Sequence, residues 1–146
     1  MGLLGLLLIA IGVRLIWRSA ANPAPLLDEG PCRIESVLDD GAMVLKPGVK
    51  LRLTGIHDLG AHAPAFIEAF VGEVPVRLEF DKERIDSAGV YYGYVWVDER
   101  LLNEALVREG LARADASARI ASGMKTRLRH AETAARAAGR GRWAAP

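Results

Sequence analysis

The sequence predicts an α+β fold: a five-stranded OB-fold barrel with three helices, preceded by an N-terminal hydrophobic helix. Three observations lead to this fold class. Five short stretches rich in alternating or β-branched residues are separated by turn signals. A stretch with helical spacing lies between the third and fourth of them. From residue 101 onward the chain has mostly helical character.

The five strands are indicated by residue alternation and by the turns between them. Asp39-Asp40-Gly41 and Pro47-Gly48 are turn signals that join the first three strands into a meander. The fourth strand has one apolar and one largely polar face, and the fifth is rich in Tyr and Val. The predicted strands are Arg33–Asp39, Met43–Leu45, Lys50–Ile56, Val74–Phe80 and Gly89–Val97.

The three helices are indicated by apolar stripes and by their end residues. The first, Pro64–Val71, begins with a proline, which suits a first helical turn. The second, Leu101–Glu109, carries a leucine stripe, and the third, Ala116–Ala138, is rich in alanine and arginine. Gly139 is a typical residue to end that last helix.

Residues 1–18 are predicted to be a hydrophobic membrane anchor. Gly2–Val13 is apolar or glycine, and the run extends past Arg14 to Trp17, a total of 16 residues. This is slightly short of the roughly 20 residues that cross a bilayer. A cleaved signal peptide is the rival interpretation, with Ser19-Ala20-Ala21 as its cleavage site, although no basic residue precedes the run. A third interpretation of these residues is a mis-assigned start codon or a soluble helix.

The flanking residues predict the membrane side and the domain boundaries. Arg14 and Arg18 follow the core of the apolar run, so the positive-inside rule favours a single-pass protein with its domain on the cytoplasmic side. Residues 19–31 contain Pro23 and Pro25 and are predicted to be a linker.

Residues 32–146 are predicted to form the domain. Its single cysteine, Cys32, excludes an intramolecular disulfide and a Cys-rich zinc site.

Charge is distributed unevenly along the domain. The span from Asn22 to Asp115 carries 10 basic and 17 acidic residues, a net charge of −7, whereas residues 116–146 carry seven basic residues and one acidic residue. An acidic barrel disfavours binding of a polyanion, while the C-terminal helix favours it.

Four segments carry recognisable motifs: the stretch from Leu51 to Gly60, Glu79-Phe80-Asp81-Lys82, the stretch from Leu102 to Ala112, and Ala131-Glu132 through Gly141-Arg142-Trp143. Together they resemble the thermonuclease family, whose domains are staphylococcal-nuclease-like. The resemblance covers about Arg33 to Trp143. It implies the same barrel, and an activity that cuts DNA and RNA phosphodiesters with a calcium ion held by carboxylates.

The resemblance also implies the positions of the catalytic residues, and most of these are substituted. Arg52 matches the first phosphate-binding arginine and is retained. The two calcium-binding aspartates fall on Ala42 and His57, the water-activating glutamate on Gly60, and the second arginine on Val90. Such hydrolysis needs a cation, a base and charge-stabilising arginines. We therefore expect no metal site and no cofactor, with calcium as the ion if the family activity were retained.

Asp40 and Asp58 lie one or two positions from the substituted aspartates and are candidates for a residual pocket. The leading hypothesis is a membrane-tethered, catalytically inactive domain that acts as a binding or scaffold module. A protein partner is favoured because the barrel is acidic. The alternative is a divergent metal-dependent nuclease that recruits His57, Asp58 and Arg52 around another metal. Nucleic-acid binding through Arg127 and Arg129 of the basic C-terminal helix is a third hypothesis.

Two further patterns have a functional and a structural interpretation. His57, Asp58 and His62 are of types that bind transition metals, but they also suit a solvated polar turn. Tyr92, Tyr94 and Trp96 share one face of the fifth strand, where they would either stack nucleobases or pack against the helices.

Overall fold

A computed structural model describes residues 30–46 and 48–146. The predicted anchor (1–18) and the predicted linker up to residue 29 lie outside the described residues. Within the described ranges, no helix is long and apolar enough to span a bilayer.

The described chain folds into nine short strands and three α-helices, which confirms the predicted α+β class. The strands are β1 (Pro31–Cys32), β2 (Ile34–Val37), β3 (Met43–Leu45), β4 (Val49–Leu53), β5 (Ile56–His57), β6 (Val76–Glu79), β7 (Tyr91–Val97), β8 (Arg100–Leu101) and β9 (Arg113–Ala114). The helices are α1 (Ala63–Val71), α2 (Leu102–Arg108) and α3 (Ser122–Ala137), and a 3-10 turn follows at Gly141–Trp143.

The main sheet closes on itself as a barrel. Its strand order is β1-β6-β7-β4-β3-β2. Only Arg33 separates β1 from β2, so one bent segment pairs with β6 at one end and with β3 at the other. Strands β4 and β7 pair in parallel, while the other pairs are antiparallel. The predicted five-stranded OB-type barrel is thereby confirmed.

Alternation along the strands fills the barrel. In β4, Val49, Leu51 and Leu53 are buried while the residues between them are half-buried. In β7 the buried interior side includes the fully buried Tyr91 and Val95. This two-residue period sends Arg52 to the outer side of β4, at the end of the barrel where the candidate site lies.

The third predicted strand and the third predicted helix are shorter than the sequence indicated. The strand Lys50–Ile56 ends at Leu53, because Gly55 adopts a left-handed φ of 75° in a turn. The chain then forms β5, which pairs with β9 in a separate two-stranded ribbon. Helix α3 begins at Ser122 rather than Ala116, because Asp115 folds residues 115–118 into a turn through its bond to the Ser117 amide.

Asp81 anchors the start of α3 to the barrel. Its Oδ2 accepts the Ala121 amide at 2.9 Å and the Tyr94 hydroxyl at 3.2 Å, and its Oδ1 accepts the Lys82 amide at 2.9 Å. These bonds, above all that from Ala121, hold the pKa of Asp81 below its ordinary value despite partial desolvation. The ionised carboxylate is therefore the form that stabilises the fold.

We expect the contribution of Asp81 to stability to depend on pH in the acid range. Its folded-state pKa lies below the unfolded value of about 3.9, so the stabilisation is complete above that pH and is lost as pH falls through the folded-state pKa. In Asp81→Asn, chemical denaturation should show a smaller loss of stability between about pH 4 and pH 2 than in the parent. Asp98→Asn, which changes an exposed acid outside this network, is the control and should keep the parental slope.

Candidate functional site

Most of the positions that the sequence analysis singled out surround one cavity of about 380 Å³ at the end of the barrel. It is bounded by the turn after β2, the C-terminal end of β4, the chain from β5 onward, and Tyr92 of β7. Its lining residues are Asp40, Gly41, Ala42, Arg52, Leu53, Ile56, His57, Asp58, Leu59 and Tyr92. The structure thus brings Arg52 together with Ala42, His57, Asp40 and Asp58.

Gly60 and Val90 do not line this cavity. Val90 lies in a turn, where its amide donates to Asp86 Oδ1 at 3.0 Å. The Gly60 amide donates to the Leu111 carbonyl at 2.8 Å. A Cβ atom at position 60 would lie 3.7 Å from the Leu111 carbonyl oxygen and 3.9 Å from Arg142 Nη2.

The retained Arg52 forms an ion pair within the site. Its Nη2 lies 2.5 Å from Asp40 Oδ2, and Lys50 Nζ lies 3.9 Å from the same oxygen. Asp40 Oδ1 also accepts the Ala42 amide at 3.0 Å. That backbone bond, assisted by Arg52, holds the pKa of Asp40 below its ordinary value although the side chain is largely exposed. The carboxylate is therefore ionised at neutral pH and neutralises the charge of Arg52 locally.

Asp58 is bound by an arginine from the other end of the domain. Arg142 Nη1 lies 2.5 Å from Asp58 Oδ2, Arg142 Nη2 donates to the Asp58 carbonyl, and Arg142 Nε donates to the Gly110 carbonyl at 3.3 Å. Asp58 itself has a left-handed φ of 55°, which aspartate tolerates better than most residues. The guanidinium of Arg142 thus fixes the chain just after β5.

Sequence reasoning did not identify Arg142 as part of the site. It lies 84 residues from Asp58, and it had been noted only within the Gly141-Arg142-Trp143 ending. Neither the sequence around Asp58 nor the sequence around Arg142 carries a local signal that these two residues meet.

The donor set around the cavity does not fit a calcium ion. Calcium binding takes several oxygen ligands, usually more than one carboxylate. Here Asp40 is engaged by Arg52 and the Ala42 amide, and Asp58 by Arg142. In residues 30–46 and 48–146, no group of three or more His, Cys, Asp and Glu side chains is arranged to hold a metal ion. His57, Asp58 and His62 therefore do not form such a group.

Two of the three aromatic residues on this face of β7, Tyr94 and Trp96, are bound by other side chains, whereas Tyr92 lines the cavity around Arg52. Tyr94 is buried and its hydroxyl donates to Asp81. Trp96 donates to Glu79 Oε2 at 2.8 Å, and the guanidinium groups of Arg77 and Arg127 each lie 5.1 Å from its ring centre. The packing interpretation of this face thus describes the structure better than a free surface for nucleobases.

The basic residues of the C-terminal segment are mostly paired with acidic residues. Five of its arginines have an acidic partner at N···O distances of 2.5 to 3.6 Å. The pairs are Arg119–Glu83, Arg127–Glu104, Arg136–Glu132, Arg140–Glu109 and Arg142–Asp58. Four of these acids belong to the acidic part of the chain before residue 116, so much of the charge asymmetry in the sequence is neutralised by folding.

We expect replacement of Arg142 to loosen the chain around Asp58 while leaving the barrel intact. A partly exposed ion pair of this kind contributes about 1 kcal/mol, so in Arg142→Leu the Gly60 amide should exchange its hydrogen about fivefold faster. Hydrogen exchange measured by NMR tests this. Arg140→Leu, which removes the neighbouring pair with Glu109, is the matched control. Equal exchange at Gly60 in the parent and Arg142→Leu would show that the pair does not fix this segment.

Comparison with known proteins agrees with this fold. Residues 47–145 match the model of the family described as "Staphylococcal nuclease homologue". The chain is 39% identical over 61 residues to a thermonuclease of Staphylococcus hyicus and 38% identical over 61 residues to one of Staphylococcus intermedius. Each match covers 42% of this chain and 36% of the relative, so the chain spans just over a third of the length of these thermonucleases. The chain therefore belongs to the family of staphylococcal nuclease homologues.

Proposed function

We propose that this protein is a membrane-tethered, catalytically inactive member of the thermonuclease-like family that acts as a binding or scaffold module. The observation that carries the proposal is that the cavity lacks the side chains needed for metal-dependent hydrolysis. Ala42, at the position of a calcium-binding aspartate, offers no oxygen ligand, and Gly60, at the position of the catalytic base, has no side chain and does not line the cavity. The two carboxylates nearby are each held by an arginine.

The electrostatics of the site support inactivity independently of metal binding. A working phosphodiesterase needs arginine side chains that are free to take up charge as it builds on the phosphoryl oxygens. Arg52 has Asp40 2.5 Å away, so a phosphate would have to displace an ionised carboxylate to bind it. Val90 supplies no charge at the position of the second arginine.

The paired C-terminal arginines favour a protein partner over nucleic acid. Binding of a polyanion draws its affinity from cations that exchange counterions for phosphates. Arg127 is already bound to Glu104 at 2.6 Å and lies against Trp96. In this proposal residues 1–18 anchor the module to a membrane, with the domain on the cytoplasmic side.

Cleavage of fluorescent single-stranded DNA by the full chain, with calcium, magnesium, manganese or zinc, tests the proposal. We expect no cleavage above the level of Arg52→Ala in any metal, and no heat of calcium binding by calorimetry. Micromolar binding of calcium together with a nucleotide, or cleavage that is lost in Arg52→Ala, would refute the proposal. Fractionation of cells that express the chain with and without residues 1–18 tests the tether.

A second candidate function, a divergent metal-dependent nuclease, is favoured by one observation. Arg52, His57 and Asp58 line the same cavity although His57 replaces a carboxylate. This function requires Asp58 to leave Arg142 and bind a metal that accepts imidazole, such as manganese, zinc or nickel. It predicts cleavage with one of these ions but not with calcium, abolished by His57→Ala and unaffected by His62→Ala.

A further inference from the structure

A second cavity lies between α3 and the segment that follows β9. Its volume is about 460 Å³, within the range of small-ligand pockets. One wall is a stripe of α3 from Lys125 to Arg136, which spans roughly 16 Å at 1.5 Å per residue. The cavity shares no lining residue with the cavity around Arg52.

The opposite wall is made of small residues. Gly55, Ala114 and Ala116 lie across from Leu128 of the helix. A side chain at position 55 would not fit, because a Cβ atom there would lie 2.7 Å from Leu128 Cδ1. Gly55, Ala114, Ala116 and Leu128 give the cavity an apolar side, which suits a hydrocarbon group.

Arg129, at the edge of this cavity, differs from the other arginines of the C-terminal segment. Each of the others has an acidic partner, whereas Arg129 has none among the described residues. Lys125 lies one turn before it and donates only to the Ala116 carbonyl, at 3.2 Å. Two cations, neither of which has a carboxylate partner within the described chain, thus face the same concave surface.

The two acids that line the cavity are engaged elsewhere. Asp115 Oδ1 accepts both the amide and the hydroxyl of Ser117, at 2.9 and 2.6 Å. Glu132 binds Arg136 at 2.5 Å and accepts the Ala114 amide at 2.7 Å. Neither one is placed in an ion pair with Arg129 or Lys125, so these two cations remain available to an anionic ligand.

We propose that this α3 cavity is a binding site for a small anionic ligand, with a phosphate or carboxylate group held by Arg129 and Lys125. An apolar part of the ligand would lie against Gly55, Ala114 and Leu128. Arginine suits this role because its planar fork donates two parallel hydrogen bonds to such oxyanions. The site is separate from the thermonuclease-like cavity and does not depend on whether that cavity is active.

Titration of the full chain, isotopically labelled and kept in a neutral detergent, with butyl phosphate tests the site by NMR. We expect amide signals of residues 55, 114–116 and 125–136 to shift, with those around Arg52 unchanged. The apparent affinity should fall at least fivefold in Arg129→Gln, and by a smaller factor in Arg129→Lys, which keeps the charge but loses the bidentate fork. Arg108→Gln, which changes an exposed arginine of α2, is the matched control and should bind as the parent does.

Titrations with inorganic phosphate and with butanol test the anionic and the apolar part of the ligand separately. We expect inorganic phosphate to bind several-fold more weakly than butyl phosphate and at the same residues, and butanol to show no dependence on Arg129. Shifts that persist unchanged in Arg129→Gln, or no shifts at the α3 cavity at all, would overturn the proposal. Equal binding of inorganic phosphate and butyl phosphate would contradict its apolar part.

Discussion

Replacement of Asn103 by alanine should destabilise the domain by on the order of 3 kcal/mol, the largest single effect that we expect. Asn103 is the one polar residue of the described chain whose side chain lies in the fully buried core. Its Oδ1 accepts the Val95 amide at 3.2 Å, and its Nδ2 donates to the carbonyls of Thr54 at 2.9 Å and Gly93 at 3.2 Å. Alanine would leave these three backbone groups without partners and create a small cavity.

The measurement is urea denaturation of the full chain, with two controls. Arg108→Ala removes an exposed ion pair on the same helix and should change the free energy of unfolding by less than about 1 kcal/mol. Asn103→Asp keeps the size but loses both donor hydrogens, so it should destabilise the domain nearly as much as Asn103→Ala. A loss below about 1 kcal/mol in both Asn103 variants would show that these hydrogen bonds do not stabilise the join between β4, β7 and α2.

The second large effect is a gain of calcium binding when two carboxylates are returned to the cavity. We expect the double variant Ala42→Asp, His57→Asp to bind calcium with a Kd on the order of 1 mM, where the parent shows no binding. Both positions line the cavity beside Asp40. Because Ala42 is buried, the new carboxylate should lower the Tm without calcium, and added calcium should raise it again.

The matched control for this gain carries the same residue changes at positions outside the cavity. Ala65→Asp with His62→Asp alters the composition and charge of the chain identically, on exposed residues at the start of α1. Its Tm should not depend on calcium. A calcium response equal in both double variants, or absent from both, would show that positions 42 and 57 do not converge on a metal site.

A glutamate at position 60, which the family resemblance assigns to the catalytic base, should not by itself give cleavage. In a variant that adds Gly60→Glu to Ala42→Asp and His57→Asp, the new carboxylate would extend towards Arg142, which lies 3.9 Å from the place of its Cβ. We expect an ion pair with Arg142 to hold it away from the cavity. Addition of Arg142→Leu should then raise calcium-dependent cleavage of single-stranded DNA at least tenfold.

The barrel could be predicted from sequence because its signals are local. Alternation in β4 and β7, and the turns that join the first strands, each depend on residues close together in the chain. The start of α3 could not be predicted in this way. Alanine and arginine continue the helical composition back to Ala116, but Asp115 and Asp81 bind the chain in another conformation before Ser122. Tertiary hydrogen bonds override propensity there.

The site could be located from sequence but its electrostatics could not. The family resemblance assigns Ala42, Arg52 and His57 to one site, and in the structure these three residues line the same cavity. The pairing of Asp58 with Arg142, and of Arg127 with Glu104, joins residues far apart in sequence, so the sequence does not show that acids of the barrel neutralise the basic C-terminal segment. Gly60 shows the limit of transferring positions one by one, since it matches the base position but lies outside the cavity lining.

The ion pair between Arg142 and Asp58 also has a consequence for folding during synthesis, because Arg142 is synthesised long after Asp58. The Arg142 amide donates a hydrogen bond to the Gly110 carbonyl at 3.2 Å. A Cβ atom at Gly110 would lie 2.2 Å from the Arg140 carbonyl oxygen, so the two glycine-containing segments cross in close contact. On the ribosome the strands of the barrel emerge well before residue 142. Asp58 consequently has no guanidinium partner in the nascent domain. For that interval the segment after β5 lacks the contact that later fixes it, and the Asp58 carboxylate is exposed to solvent and to chaperones.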